Sequence, residues 1–302
     1  HPDAKNRIKS ACQGLVRRRR IALTADRRSK PLGGFDRRID NRIMNTENGN
    51  EKIMALLQVT VKNINETEHI YKAKLYSKNV THPIPFFGDI EKAKVITVGI
   101  NPVSSEFSAN RAWPQNIDLR YLYERLKNYF NYPGVPPHNW FSVWEEALNH
   151  ISISYHSGDA AHIDISSRST KNIKQISKQI SEVDLFEKML AEDINMFFQF
   201  ISNCEYLKLL LISGTVSKRK YINEFIKKQC PRYGFKLEGN FIREENLGNG
   251  KTYFHRLIGN NIDIPVFFCS VSPSADNPSL LIERIIENKS RLIELIERDD
   301  KK

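Results

Sequence analysis

Apolar residues fall into short β-branched runs, separated by stretches in which they recur every three or four positions. This is the alternation of strands and amphipathic helices that marks an α/β protein. From Met44 onward the pattern is continuous. The first strand is Lys94-Val95-Ile96-Thr97-Val98-Gly99-Ile100, stopped by Asn101-Pro102. A helix is predicted over about 119–130, with Leu119, Leu122, Tyr123, Leu126 and Phe130 on one face. After turn residues Pro133, Gly134, Pro136 and Pro137, a second spans about 140–151 and buries Phe141, Trp144, Leu148 and Ile151. Residues 161–166 form the second strand, and about 184–201 a long helix whose apolar second half belongs against a sheet. Residues 207–213 have the unbroken apolar run of a buried parallel strand, ended by Gly214, with a helix expected near Ser217. Strands and turns are expected over 235–259 around the hairpin signal Asn249-Gly250. The last core strand is 264–271, and a final helix runs over about 279–297 behind Pro278. No internal repeat appears, and the sum is a three-layer α/β/α sandwich with a central, mostly parallel sheet over 44–302, preceded by an extension over 1–43.

Composition supports a real core, with 40% apolar and 27% charged residues in a chain of 302. The net charge of +11 suggests nucleic acid until it is divided along the chain. Residues 1–43 hold 13 Lys and Arg against 4 Asp and Glu, a balance of +9, which leaves +2 for the remainder. The basicity therefore belongs to the extension, which carries Arg17-Arg18-Arg19-Arg20 and lacks an apolar period. It is expected to be disordered and able to bind phosphate without sequence preference. Because the chain opens on His1 and Met44 begins the regular pattern, residues 1–43 are expected to be upstream sequence. Ile21-Ala22-Leu23 is too short for the apolar core of a signal peptide.

No apolar run approaches the ~18 residues of a membrane span, so a cytoplasmic monomer without a membrane partner is expected. Cys12, Cys204, Cys230 and Cys269 form no C-x-x-C pair, which excludes a zinc ribbon, an iron–sulfur cluster or a disulfide framework. His138, His150, His156 and His162 lack metal spacing, and no cofactor is expected. Gly248-Asn249-Gly250-Lys251-Thr252 imitates the end of a phosphate-binding loop, but Glu245 stands where glycine is required and a strand follows. No G-x-S-x-G elbow is present, so an α/β-hydrolase ranks last.

Open parallel sheets bind ligands beyond the carboxyl ends of their strands. Four such ends are small and polar: Gly99–Pro102, Asp164–Thr170, Ser213–Thr215 and Ser272–Ser279. Glycine lets backbone approach a ligand, proline sets the loop direction, and Ser and Asn supply neutral donors and acceptors. Taken together, Val98-Gly99-Ile100-Asn101-Pro102 resembles the G-x-N-P motif of the mismatch-specific and single-strand-selective branches of the uracil-DNA glycosylase superfamily. Ser272-Pro273-Ser274 resembles the superfamily's closing H-P-S-P or N-P-S motif, and His162–Thr170 resembles the middle segment of the mismatch branch. Pro85-Phe86-Phe87-Gly88-Asp89 and Ser105-Glu106-Phe107 are similar to segments of uncharacterised bacterial members. The likeness spans about residues 83–283.

The resemblance implies hydrolysis of the N-glycosidic bond of uracil or a related damaged base in DNA, without metal or cofactor. Such cleavage passes through an oxocarbenium-like sugar and needs a held water and a donor for the leaving base. By the resemblance, Asn101 orients the water and Ser272 faces the departing base, standing where the fast branch has a histidine. Gly99, Ile100, Pro102, Val103, Phe107 and Asp164 would line the base pocket, with Trp113 a second candidate for stacking on a base flipped out of the helix. Ser213, Gly214, Ser274, Ala275 and Asn277 would meet the DNA backbone. Two departures are written in the chain: Ser272 cannot be a cation, and Val103 replaces a glycine. The alternative expectation is a catalytically silent relative that binds nucleic acid or a nucleotide.

Overall fold

The computed structural model describes residues 49–76, 82–107, 113–114, 117–176, 178–217, 220–239, 250–274 and 277–298. The extension over 1–43 and Asn249 of the expected hairpin lie outside the described residues. The first described element is helix α1 (Gly49–Leu75). Its buried positions Ile53, Leu56, Leu57, Thr60, Ile64, Tyr71 and Leu75 fall at helical spacing. The stripe is interrupted by Thr60, whose hydroxyl donates back to the Leu56 carbonyl at 2.8 Å, and sequence pattern alone did not single this helix out.

After α1 come β1 (Phe86–Phe87), β2 (Val95–Gly99), α2 (Leu119–Lys127), α3 (Trp140–Asn149) and β3 (Ala160–Asp164). Then follow the single turn α4 (Ile173–Ile176), α5 (Ile180–Ser202) and β4 (Leu209–Ser213). β5 (Thr215–Ser217) and β6 (Lys220–Tyr221) pair as a separate hairpin before α6 (Ile222–Gln229). The helix expected near Ser217 therefore starts later, because Gly214 (φ +89°) turns the chain into a hairpin whose first arm contains the β-branched pair Thr215-Val216. The chain closes with β7 (Phe235–Gly239), β8 (Thr252–Gly259), β9 (Ile262–Cys269), α7 (Ser279–Glu287) and α8 (Lys289–Glu297). The single final helix that was expected breaks at Asn288, whose side-chain amide donates to the Arg284 carbonyl at 2.8 Å.

The α/β class holds. Seven strands form one sheet in the order β1-β3-β2-β4-β9-β8-β7. The central four, β3, β2, β4 and β9, run parallel; β1 pairs antiparallel with β3 at one side, and at the other β8 pairs antiparallel with both β9 and β7. Asn260 and Asn261, at φ 46° and 66°, make the tight turn between β8 and β9, the left-handed geometry a two-residue hairpin requires. That turn was not anticipated.

Every residue of β2, β3 and β4 is buried, which explains their nearly unbroken apolar composition. Adjacent residues of β1 reveal what covers the sheet near this end. Phe86, level with Ile163, packs on Phe200 of α5, while Phe87, level with His162, packs on Phe141 of α3. From β2 the chain moves outward to β3, then returns past β2 to β4, so the winding reverses between β2 and β4. The carboxyl ends flanking that reversal are Gly99–Pro102 and Ser213–Gly214, the place where open sheets bind ligands. Among the described residues, no helix is long and apolar enough to cross a membrane.

Candidate functional site at the strand ends

The β2–β3 ladder continues past both strands, with the Ile165 and Ser166 amides donating to the carbonyls of Gly99 and Ile100 at 3.1 and 2.9 Å. This carries Asn101 to the rim in a fixed direction. Its Nδ2 donates to the carbonyls of Pro102 and Arg168, each at 3.1 Å, and to Thr170 Oγ1 at 2.9 Å. Carbonyls only accept, and the Thr170 hydroxyl donates its own proton to the Lys171 carbonyl at 3.0 Å. The nitrogen must face all three, so Oδ1 is left as the acceptor. Val103 forms a bridge with Thr170 and is 40% exposed, while Pro102 is buried.

The segment that holds Asn101 is anchored from below by Arg168. Its Nε donates to both carboxylate oxygens of Asp193 on α5, at 3.2 and 2.8 Å. Its terminal nitrogens reach the Tyr76 hydroxyl, Thr67 and the Ile64 carbonyl at 3.0, 2.6 and 3.4 Å. Burial alone would push the guanidinium's pKa down, but Asp193 and Tyr76 outweigh it and hold it above the usual arginine range.

A buried polar chain lies beside this anchor. The Tyr155 hydroxyl meets Thr97 Oγ1 at 2.5 Å, Thr97 Oγ1 meets His162 Nδ1 at 2.8 Å, and His162 Nε2 meets Asp164 Oδ1 at 3.2 Å. The His162 ring is walled by Trp140, Phe141 and Phe87 at 4.8, 5.3 and 5.7 Å between centroids. Burial raises the Asp164 carboxyl above the usual carboxylate range, partly countered by His162. Gly99 is level with Asp164 and has no room for a side chain, because the His162 and Asp164 groups fill it.

Ser213 is also buried, and its hydroxyl bonds to no described residue. The resemblance implied a place for it against the DNA backbone; it sits at 5% exposure within the sheet, level with Cys269. Burial pushes the Cys269 thiol up to about 11, so at neutral pH it is an uncharged wall. Ser272 lies against Gly214: a Cβ built there would be 3.1 Å from Ser272 Cβ. The Ser272 hydroxyl is 2.9 Å from that of Ser274 and accepts the Ser274 amide at 3.3 Å. Ser274 and Asn277 are exposed, the latter accepting from Ser279 Oγ at 2.6 Å; Ala275 lies outside the described residues.

Phe107 and Trp113 do come together, with centroids 5.7 Å apart, and His82 completes a triangle at 6.0 and 6.1 Å. Glu106 anchors this group from inside, accepting from the Tyr129 hydroxyl at 2.8 Å and from Trp113 Nε1 at 3.3 Å. Sequence reasoning missed His82, Thr97, Tyr155 and the bracing role of Arg168. A signal existed for one of them, since Thr97 is a polar residue in mid-strand whose burial demands a partner. No three His, Cys, Asp or Glu side chains converge as a metal site among the described residues.

Chemically, the strand ends present an oriented amide acceptor, a carboxyl group, three hydroxyls and a cluster of aromatic rings. Compared with known proteins, the chain matches no family model and no curated relative.

Proposed function

We propose that this chain is a DNA glycosylase-like hydrolase, folded as a three-layer α/β/α sandwich, that cleaves the N-glycosidic bond of uracil or a related damaged base. The observation that carries the reading is the orientation of Asn101, whose nitrogen faces three acceptors, which leaves its carbonyl oxygen as the group that would hold a water. A base turned out of the stack, at a cost of a few kcal/mol, would reach the strand ends. The water's oxygen bonds to the sugar C1′, the C1′–N bond breaks, its electron pair leaves with the base, and one proton of the water passes to the base anion, leaving the sugar with a hydroxyl. Ser272 supplies a neutral donor to the charge growing on the departing ring. Phe107 and Trp113 offer stacking faces, and Ser274 and Asn277 offer exposed polar groups toward the backbone.

A second reading, a silent relative that only binds nucleic acid, is favoured by one observation: the Ser272 hydroxyl is already engaged by Ser274. Incubating the full chain with labelled single- and double-stranded oligonucleotides containing uracil, then testing for alkali-labile sites, separates the two. Cleavage by the wild type that falls about a hundredfold in Asn101→Ala, the scale of losing one oriented transition-state contact, supports hydrolysis. Retention of oligonucleotide with no alkali-labile site selects the binding protein, and equal cleavage by Asn101→Ala removes the role given to Asn101.

A further inference from the structure

We infer that Glu106 is a positioning residue: its buried carboxylate fixes Trp113, and with it Phe107, as one ordered wall of the cleft on which a planar ring stacks. The inference deepens the function proposed above and rests on a nucleobase entering beside Asn101.

Hydrogen-bond direction around Glu106 follows from the groups themselves. Indole and backbone N–H groups only donate, and a carboxylate only accepts. Trp113 Nε1 therefore donates to Glu106 Oε1 at 3.3 Å. The Tyr129 hydroxyl receives the His138 amide at 3.2 Å and sends its own proton to Glu106 Oε2 at 2.8 Å. Two donors thus arrive on two different oxygens of a side chain that is only 2% exposed. A glutamine of the same length would set its NH2 group against one of them.

The preceding residue is tied to the same stretch. Because the Trp140 amide donates to His138 Nδ1 at 3.1 Å, the imidazole carries its proton on Nε2 and donates it to Ser105 Oγ at 3.0 Å. Ser105 and Glu106 together hold the segment that leads from Asn101 to Phe107.

Arg125 secures the indole from a second direction. Its buried guanidinium lies 5.2 Å from the Trp113 ring centroid and 3.6 Å from that of Tyr132, a cation set against ring faces. Phe107 and His82 then meet the indole at 5.7 and 6.1 Å, and all three rings stay partly exposed. A ring surface ordered from within receives a planar partner without the entropy loss of ordering its own side chains. A carboxylate costs more to bury than an apolar side chain of its size, and the direction it gives the indole accounts for its presence here.

The test uses the full chain carrying 5-fluorotryptophan, with a single-stranded oligonucleotide containing one 2′-fluoro-2′-deoxyuridine. The sugar fluorine withdraws electrons and opposes the cationic sugar, which separates binding from cleavage. Of the three tryptophans, Trp113 is identified by the fluorine resonance lost in Trp113→Phe. That resonance is expected to shift on binding. Affinity should fall about fivefold in Glu106→Gln, the scale of one hydrogen bond, and about as much in Trp113→Phe, which keeps a ring and loses the N–H. The double variant E106Q/W113F should bind no more weakly than Trp113→Phe alone, because the amide oxygen then serves Tyr129 and no indole N–H meets the NH2 group. A merely structural carboxylate would weaken binding equally in both backgrounds. An unmoved Trp113 resonance, wild-type affinity in Trp113→Phe, or equal losses on adding Glu106→Gln to the two backgrounds overturns the inference, and the first two need no Glu106 variant to fold. Cleavage of the natural uracil strand is read separately. Cleavage without this binding pattern removes the positioning role and leaves the hydrolase, whereas the pattern without cleavage supports the role and removes the hydrolase.

Discussion

The carboxylate of Asp164 stands where a side chain on Gly99 would begin: a Cβ added to Gly99 would lie 2.3 Å from Asp164 Oδ1 and 2.8 Å from His162 Nε2. Glycine is required here for space. The backbone of β2 at this point is ordinary strand, and the residue's value is that it lets a carboxyl group from the next strand lie over it.

Gly99→Ala should therefore dislodge the Asp164–His162 contact. An overpacked core position costs about 1–3 kcal/mol, so a clear drop in melting temperature is expected together with a changed NMR signature of the His162 ring. A variant with the wild-type melting point and an unmoved ring signal would show that the site yields without strain.

The pairing of Arg168 with Asp193 gives a second prediction. Arg168 is buried and Asp193 half-buried, and removing one partner of such a pair strands the other charge at a cost of up to about 3–5 kcal/mol. Arg168→Met alone should lower the urea midpoint sharply, and the double variant R168M/D193L should recover most of the loss. Equal destabilisation in single and double variants would mean that the guanidinium's bonds to Thr67, Tyr76 and Ile64, and not its charge pairing, dominate.

His255 makes stability depend on pH. Its Nε2 accepts from Asn223 Nδ2 at 3.3 Å, and burial, with Lys227 adding repulsion, pushes its pKa down to about 4. An unfolded histidine titrates near 6.5, so the folded state resists a proton that the unfolded chain accepts. The contribution is whole above about pH 6.5 and is lost as pH falls through about 4. It is on the order of 3 kcal/mol. Urea unfolding at neutral pH and near pH 4.5 should show a smaller acid loss in His255→Gln than in the wild type; parallel losses would assign the acid sensitivity elsewhere.

Ser272→His tests whether the leaving base is under-stabilised. A well-placed donor against a developing anion is worth about 2.7–4 kcal/mol in other enzymes, and imidazole reaches further than a hydroxyl already shared with Ser274. Single-turnover cleavage of uracil DNA should rise at least tenfold with DNA affinity little changed, because the gain belongs to the transition state. A folded variant that gains nothing, beside a silent wild type, would favour the binding protein.

The α/β class and the four parallel strands were legible because buried parallel strands are written as unbroken apolar runs, as Leu209-Leu210-Leu211-Ile212 shows. The strand-end position of Asn101 was legible from Asn-Pro after such a run. What held its amide was not, since Thr170 and the Arg168 carbonyl lie far along the chain and carry no local signal. Asn249-Gly250 was read as a turn signal, whereas the two consecutive left-handed asparagines between β8 and β9, Asn260 and Asn261, were not expected. Asn-Asn is the weaker turn signal of the two, because asparagine only tolerates the left-handed region that glycine occupies freely. Helix α1 was passed over because its buried stripe includes Thr60 and because its tether, Arg168, lies more than a hundred residues downstream.

That tether has a consequence for how the molecule assembles. The side chain of Arg168 grips Ile64 and Thr67 of α1, Tyr76 just beyond it and Asp193 from α5, while its carbonyl receives the amide of Asn101. One residue thus joins four stretches that are remote in sequence. Closing loops of that length precedes any reward from the contacts they make, so the Asn101 amide gains its direction only once those stretches have met. A variant that cannot dock α1 or α5 would leave Arg168 without its partners and the Asn101 amide without a fixed acceptor.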